Sequence, residues 1–257
     1  MSRVVLVPCC LLMVLISPLA CTSQSSNQFA AGTAAPNPSS AVVSVHELQI
    51  PEKARKDCEK GTKRFAAKDS AGSIPEFQKA IQSFPGYYEA YAKLGAAEFD
   101  LERWDDAESA FRKAMELSGG HYAPADFGLG LILATVTKKF ADAEEVVRAG
   151  LEKAPTDVAG HFVLAWVLYS TARLQEAEDS VRQALVTDPN AAAPRLLLAQ
   201  IHLRQNKFSA AVEDLNTYLA SGVAGPMDEK ARTARAEALR ALGNTEAEAP
   251  LSTAASQ

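Results

Sequence analysis

The chain has 257 residues, of which 47% are apolar and 22% are charged, and its formal net charge is −5. This composition is typical of a soluble folded protein, and the acidic balance gives no electrostatic support to a nucleic-acid partner. The periodic segments are rich in Ala and Leu and lack strictly alternating β-branched runs, so they predict helices.

The first twenty residues differ from the rest of the chain and are typical of a secretory signal peptide. Arg3 supplies a positive start, and the stretch from Val4 to Ile16 is almost wholly apolar. An uncleaved membrane anchor is the alternative, because residues 4–20 reach the lower limit of about 17 residues for spanning a bilayer. We predict a signal peptide over residues 1–20.

The residues that end this apolar run resemble a bacterial lipobox, in which a cysteine sulfur receives diacylglycerol before cleavage. Leu19 and Ala20 before Cys21 fit that pattern, and Pro18 departs from it. We therefore expect lipidation at Cys21 and membrane attachment through this lipid. Thr22 stands where an aspartate would resemble an inner-membrane retention signal, and this favours the outer membrane.

Residues 21–50 predict a flexible tether, because residues 22–44 contain no charge and few large apolar side chains. At its end, Val42 to Ile50 is more apolar and predicts a short strand-like segment that docks on the folded part. Cys58 is then the one thiol left in the exported chain, so no internal disulfide forms. A small side chain inside the first helix is the favoured interpretation of Cys58, and a reactive thiol is the alternative.

A charged segment opens the folded part. Its basic residues are Lys53, Arg55, Lys56, Lys60, Lys63, Arg64 and Lys68, and its acidic residues are Glu52, Asp57, Glu59 and Asp69. Because the two signs are interleaved, the segment predicts a solvated face. A contact with anionic lipid headgroups is the alternative.

From about residue 51 to residue 223 the sequence repeats itself. Small residues follow one another at spacings of 34, 36, 34 and 34, at Ser73, Ala107, Ala143, Ala177 and Ala211. A large apolar residue stands four places after each of them, at Phe77, Phe111, Val147, Val181 and Leu215. This period is typical of stacked repeats whose neighbours bury their apolar faces together. It favours a binding scaffold over a catalyst.

The spacing resembles the tetratricopeptide repeat, a helix–turn–helix unit of 34 residues. The second unit matches the pattern best, at Tyr91, Leu94, Gly95, Phe99, Trp104, Ala107, Phe111 and Ala114. The resemblance implies an all-α, right-handed α-solenoid of about five units, at about residues 54–87, 88–122, 123–157, 158–191 and 192–223. The third unit has one extra residue in its inter-helix turn. Residues 226–242 then predict a capping helix, and residues 243–257 a disordered tail.

The resemblance also implies a concave groove lined by the first helices of successive units. The groove residues that we predict to bind a partner are Phe65, Phe99, Phe127, Phe162, Trp166, Tyr169, Gln200 and Leu203. Some family members hold a C-terminal carboxylate with a Lys, Asn and Arg clamp at these places, and that clamp is absent here. We expect an extended peptide or a partner helix with apolar anchors. For Phe127 a core role is favoured, whereas Phe162 and Trp166 are balanced between core and binding.

No catalytic arrangement of residues is found in the sequence. His46, His121, His161 and His202 are far apart, and none has a second ligand at metal-binding spacing. We therefore expect no enzyme activity, no metal or other cofactor and no small-molecule substrate.

The function that we predict is a non-catalytic protein–protein interaction scaffold, exported to the periplasm or cell envelope of a bacterium. An assembly factor for an outer-membrane complex, such as a secretin or a pilus, is the alternative. A third hypothesis is a structural role in which residues 42–50 fill the groove of their own chain.

Overall fold

The computed structural model describes residues 45–221 and 227–243. Within these ranges the chain forms twelve helices and no strand, which confirms the predicted all-α helical repeat fold. The helices are α1 (Val45–Gln49), α2 (Glu52–Ala66), α3 (Ser70–Ser83), α4 (Tyr88–Asp100), α5 (Trp104–Leu117), α6 (Ala123–Thr135), α7 (Phe140–Lys153), α8 (Val158–Ser170), α9 (Leu174–Thr187), α10 (Ala192–Arg204), α11 (Phe208–Ala220) and α12 (Asp228–Ala241).

Ten of these helices form five consecutive pairs. The pairs are α2–α3, α4–α5, α6–α7, α8–α9 and α10–α11, and the second helix of each of the first four pairs contacts the first helix of the next. The helix α12 packs on α11, and its buried residues are Ala231, Ala234 and Ala238. Each unit therefore buries its apolar surface against its neighbours in the chain.

The turn inside each pair repeats the same backbone conformation. One residue in each turn has a left-handed φ of 59° to 65°, and these residues are Lys68, Glu102, Lys138, Ala172 and Asn206. The amide of the next residue donates back to the preceding helix, as from Arg173 to the Leu168 carbonyl at 2.9 Å. In the third pair the Lys139 amide reaches Leu133 at 2.8 Å, one residue farther back. This longer span holds the extra residue that the sequence places in that turn.

Glycines on the first helices let the two helices of a pair approach closely. A Cβ atom added to Gly95 would lie 3.2 Å from the Ala107 carbonyl oxygen and 3.2 Å from the Phe111 ring. A Cβ atom added to Gly130 would lie 2.3 Å from a methyl group of Val147. The small residues of the repeat therefore allow the short distance between the two helices of a pair, as the sequence pattern predicts.

The segment before the first pair differs from its prediction. We expected a strand-like conformation over residues 42–50, and this was wrong for Val45–Gln49, which form the short helix α1. The His46 ring stacks on Tyr88 at 4.2 Å between centroids, and its Nε2 lies 3.2 Å from Glu89. Ile50 is buried. These contacts hold the segment at the turn between α3 and α4, and i→i+4 backbone bonding satisfies more of its amides than an unpaired strand would.

Several predicted segments lie outside the described residues. They are the signal peptide (1–20), Cys21, the tether as far as residue 44, and the tail from residue 244. In the part of the chain that the structure describes, no helix has the length and apolar character needed to cross a membrane.

The close approach at Gly95 can be tested by substitution. We expect Gly95→Leu to lower the free energy of unfolding by about 1–3 kcal/mol, because the new side chain must displace the Ala107 backbone or the Phe111 ring. Urea denaturation followed by circular dichroism measures this change. Gly86→Ala is the control, since its Cβ atom would meet only the Phe84 ring at an ordinary 3.5 Å. Equal stability of the two variants would contradict the prediction.

Candidate functional site

The predicted groove residues all lie on the first helices of the pairs. Phe65 is on α2, Phe99 on α4 and Phe127 on α6, while α8 carries Phe162, Trp166 and Tyr169, and α10 carries Gln200 and Leu203. Consecutive first helices also contact one another, from α2–α4 to α8–α10. They form one continuous surface, which we call the first-helix face.

Most of the predicted residues are covered within this face. Six of the eight are buried, namely Phe65, Phe99, Phe127, Phe162, Trp166 and Gln200. Tyr169 and Leu203 keep partly exposed side chains. The covering follows from the contacts between consecutive first helices, which leave little room between α6 and α8. Among the predicted residues, exposed surface therefore remains at Tyr169 and Leu203, near the ends of α8 and α10.

Phe127 has a specific packing role. It exposes none of its surface, and Cβ atoms added to Gly150 and Gly160 would each lie 2.5 Å from its ring. The ring thus fills the space between the third and fourth pairs, which agrees with the core role that the sequence favours. A partner would reach it only by separating these pairs.

Three side chains at the open end of the face form what we call the Trp166 cluster, made of Trp166, Tyr169 and Arg204. The Trp166 and Tyr169 rings stack with centroids 5.7 Å apart. The Arg204 guanidinium lies 4.6 Å from the Tyr169 ring centroid, and its Nη1 donates to the Tyr169 carbonyl at 2.8 Å. Burial raises the pKa of the Tyr169 phenol, and Arg204 opposes this effect. The cluster joins the fourth and fifth pairs.

Two polar groups of this cluster are incompletely satisfied. Trp166 is 8% exposed, and its Nε1 has no hydrogen-bond partner among the described residues. Arg204 is exposed and has no carboxylate at salt-bridge distance in the same part of the chain. A buried donor without an acceptor costs about 1–3 kcal/mol. The Nε1 atom is itself buried, so a ligand reaches the exposed Arg204 and not the indole nitrogen, and a negatively charged ligand complements that guanidinium.

Sequence reasoning missed a charged network on the other side of α10. Glu178 on α9 is buried and accepts from Arg182 at 2.7 Å and from Lys207 at 3.0 Å. His202 lies between two carboxylates, with Nδ1 2.8 Å from Asp214 and Nε2 3.5 Å from Glu178. The network ties α9, α10 and α11 together. The sequence pattern gives no signal for this network, because its members lie on three different helices.

The surroundings shift the pKa values of the two carboxylates of the network, Glu178 and Asp214, in opposite directions. Burial works to raise the pKa of Glu178, but hydrogen bonds from Arg182 and Lys207 outweigh it and lower that pKa from 4.5 to about 2. Burial raises the pKa of Asp214, against the opposing effects of His202 and Arg195. Glu178 is therefore the member whose ionised form stabilises the fold.

Among the described residues, no group of three or more His, Cys, Asp or Glu side chains is arranged to hold a metal ion. The His202 network consists instead of ion pairs between neighbouring helices. Its chemistry is structural, because each carboxylate already faces cationic or imidazole groups.

Comparison with known proteins agrees with this geometry of stacked helix pairs. A sequence model of the tetratricopeptide repeat matches residues 58–122, 127–192 and 196–255. The chain belongs to the tetratricopeptide-repeat family. Proteins of this family are generally non-catalytic scaffolds that bind peptide or protein partners. No curated protein sequence matches the chain.

Solved structures of other repeat proteins are similar in fold. The pilus biogenesis factor PilW is 16% identical, with 77% of this chain and 89% of PilW covered and a TM-score of 0.66. Pseudomonas aeruginosa PilF is 14% identical, with 76% and 87% covered and a TM-score of 0.64. The Thermus thermophilus protein TTC0263 is 18% identical, with 73% and 99% covered and a TM-score of 0.63. At these identities the likeness shows the fold alone.

The role of Glu178 can be tested by acid titration. Because its folded-state pKa lies below its ordinary value, its stabilising effect is fully present above about pH 4.5 and is lost as the pH falls toward 2. We expect Glu178→Gln to lower the free energy of unfolding by about 1–3 kcal/mol at pH 7 and by progressively less in acid. Urea denaturation at a series of pH values measures this, with the exposed Glu229→Gln as control. A difference from wild type that stays constant with pH would contradict the prediction.

Proposed function

We propose that this protein is an exported, lipid-anchored, non-catalytic scaffold of a bacterial cell envelope, and that it binds an extended segment of a partner protein on the first-helix face. The Trp166 cluster carries the proposal. It combines a half-buried aromatic ring with an exposed guanidinium, which keeps N–H donors beyond the one that bonds the Tyr169 carbonyl.

The chemistry of the cluster favours an extended segment over a helix. The backbone carbonyls inside a helix are already bonded to its own amides, whereas an extended chain offers carbonyl acceptors along its length. An acidic side chain of that segment pairs with Arg204 in a charge-assisted hydrogen bond. Apolar side chains beside it pack on the partly exposed Tyr169 and Leu203.

The anchoring part of the proposal rests on sequence. The apolar run from Val4 to Ile16 and the Leu19-Ala20-Cys21 ending support export with lipidation at Cys21. The tether that follows would then connect a membrane to the helical array.

A second proposal specifies the partner as a subunit of an outer-membrane complex, such as a secretin or a pilus. The fold likeness to PilW, a type IV pilus biogenesis factor, and to PilF favours this candidate over other envelope partners. The partner recovered in the binding experiment below distinguishes the two proposals.

The binding site is tested by capture from envelope extract on immobilised full chain. We expect Arg204→Glu and Tyr169→Ala each to reduce recovery of the bound protein at least tenfold, since each removes one contact of the Trp166 cluster. These residues suit the test because they are exposed or half-buried, whereas Phe162 and Trp166 are core residues whose loss would disturb the fold.

The control is Val186→Glu on α9, which introduces a negative charge at a site that is 75% exposed on a second helix. Circular dichroism confirms that all variants are helical. If the same protein is recovered equally on wild type and on all variants, the first-helix face is not the binding site. A captured subunit of a secretin or pilus supports the assembly factor, and any other captured protein supports the general scaffold.

Lipidation is tested separately, with a fatty-acid analogue supplied to the expressing bacterium. We expect the wild-type chain and Cys58→Ser to incorporate the label, because Cys58 is buried in α2. We expect Cys21→Ser to lose the label and to leave the membrane fraction. Equal labelling of Cys21→Ser and wild type would refute the proposed anchor.

A further inference from the structure

The first full helix of the array, α2, is positively charged, whereas the rest of the chain has a negative net charge. Helix α2 contains six cationic and three anionic side chains, a net charge of +3, within a chain whose net charge is −5. The remaining residues together are therefore distinctly acidic. Positive charge is concentrated at the end of the array that follows the predicted tether.

The cations of α2 lie on one exposed face. Ala54, Cys58, Gly61 and Phe65 are buried and occupy one side of the helix. Four lysines at spacings of three, four and three residues fall on another side, and we call them the basic stripe: Lys53, Lys56, Lys60 and Lys63. All four are exposed. The stripe extends over about 15 Å of the helix.

The charge of this stripe is only partly neutralised. Lys56 pairs with Glu52 at 2.6 Å, and Lys60 pairs with Glu76 at 2.9 Å. Lys53 and Lys63 have no carboxylate at salt-bridge distance among the described residues. Among the described residues, α2 packs mainly on α3 and also touches α4, and all four lysines of the stripe keep exposed side chains. Leu48, which is 73% exposed, lies just before it in the chain.

We propose that the basic stripe contacts the anionic lipid headgroups of the membrane that anchors the chain. This inference rests on the proposed anchor at Cys21. Lysines are strongly hydrated point charges, and a row of them without a pocket suits a charged surface better than a shaped ligand. The 23 residues between Cys21 and Val45 span at most about 80 Å, so the anchor keeps the stripe near the lipid surface.

This contact orients the array on the membrane. The stripe lies at the first pair, while the Trp166 cluster lies on α8 and α10, three and four pairs farther along. Docking by the first pair therefore holds the candidate binding site away from the lipid surface, where an extended segment of a partner protein has access to it.

The test uses the full chain and vesicles of two compositions. One set is phosphatidylcholine, and the other is an equal mixture of phosphatidylcholine and phosphatidylglycerol. We expect the chain to partition more strongly onto the anionic vesicles, with about a fivefold loss for each lysine removed and about a hundredfold loss for the triple variant Lys53→Gln, Lys56→Gln, Lys63→Gln. The preference should also fall as salt concentration rises.

The matched control removes three cations elsewhere, with Lys138→Gln, Lys230→Gln and Arg232→Gln, all exposed in the structure. The proposal is overturned if this control loses as much binding as the stripe variant, or if wild type shows no preference for anionic vesicles. Binding to neutral vesicles reports the anchor alone, so loss of the anchor and loss of the stripe contact are distinguishable.

Discussion

The rest of the structure depends on one kind of contact, in which a large side chain packs against a glycine on the facing helix. Each of the first three pairs contains such a contact. A Cβ atom added to Gly61 would clash with the Phe77 ring, and a Cβ atom added to Gly130 would clash with Val147. The Phe111 ring packs against two glycines, Gly95 of its own pair and Gly128 of the next. Such contacts set both the distance within a pair and the distance between pairs. Phe111 therefore serves two interfaces, one within its own pair and one with the next pair.

The sequence predicts these contacts well because they repeat. The spacing of small residues and of the large residues four places later gives the helix pairs. The 36-residue interval holds two added residues, of which one lies in the connection between α5 and α6 and the other in the turn of the third pair. Local pattern does not predict how far the first helices stand from one another. That distance depends on the whole stack, and it determines which side chains of the first helices are buried. Phe65, Phe99 and Phe162 are buried, whereas Tyr169 and Leu203 keep exposed surface.

Charge compensation between distant residues was also beyond sequence reasoning. Glu178 is buried beside Lys207, which lies 29 residues later, and this pairing becomes visible only when the fourth and fifth pairs are stacked. The same is true of Arg204 and Tyr169, which are 35 residues apart. Ion pairs between side chains thus hold the fifth pair on one side of α10, and on the other side α10 contributes Arg204 to the Trp166 cluster. A rigid α10 keeps Arg204 in place over the Tyr169 ring.

The longer turn of the third pair shows that turn length and stacking register are independent. Lys139 bonds one residue farther back than its counterparts, yet Val147 still seats against Gly130. The turn of the third pair is therefore a position where the chain accommodates an added residue while the contact within the pair is kept. An epitope or a small fluorescent reporter inserted at Lys138 would leave the helical stack intact, which makes this turn an attachment point for following the protein in living cells.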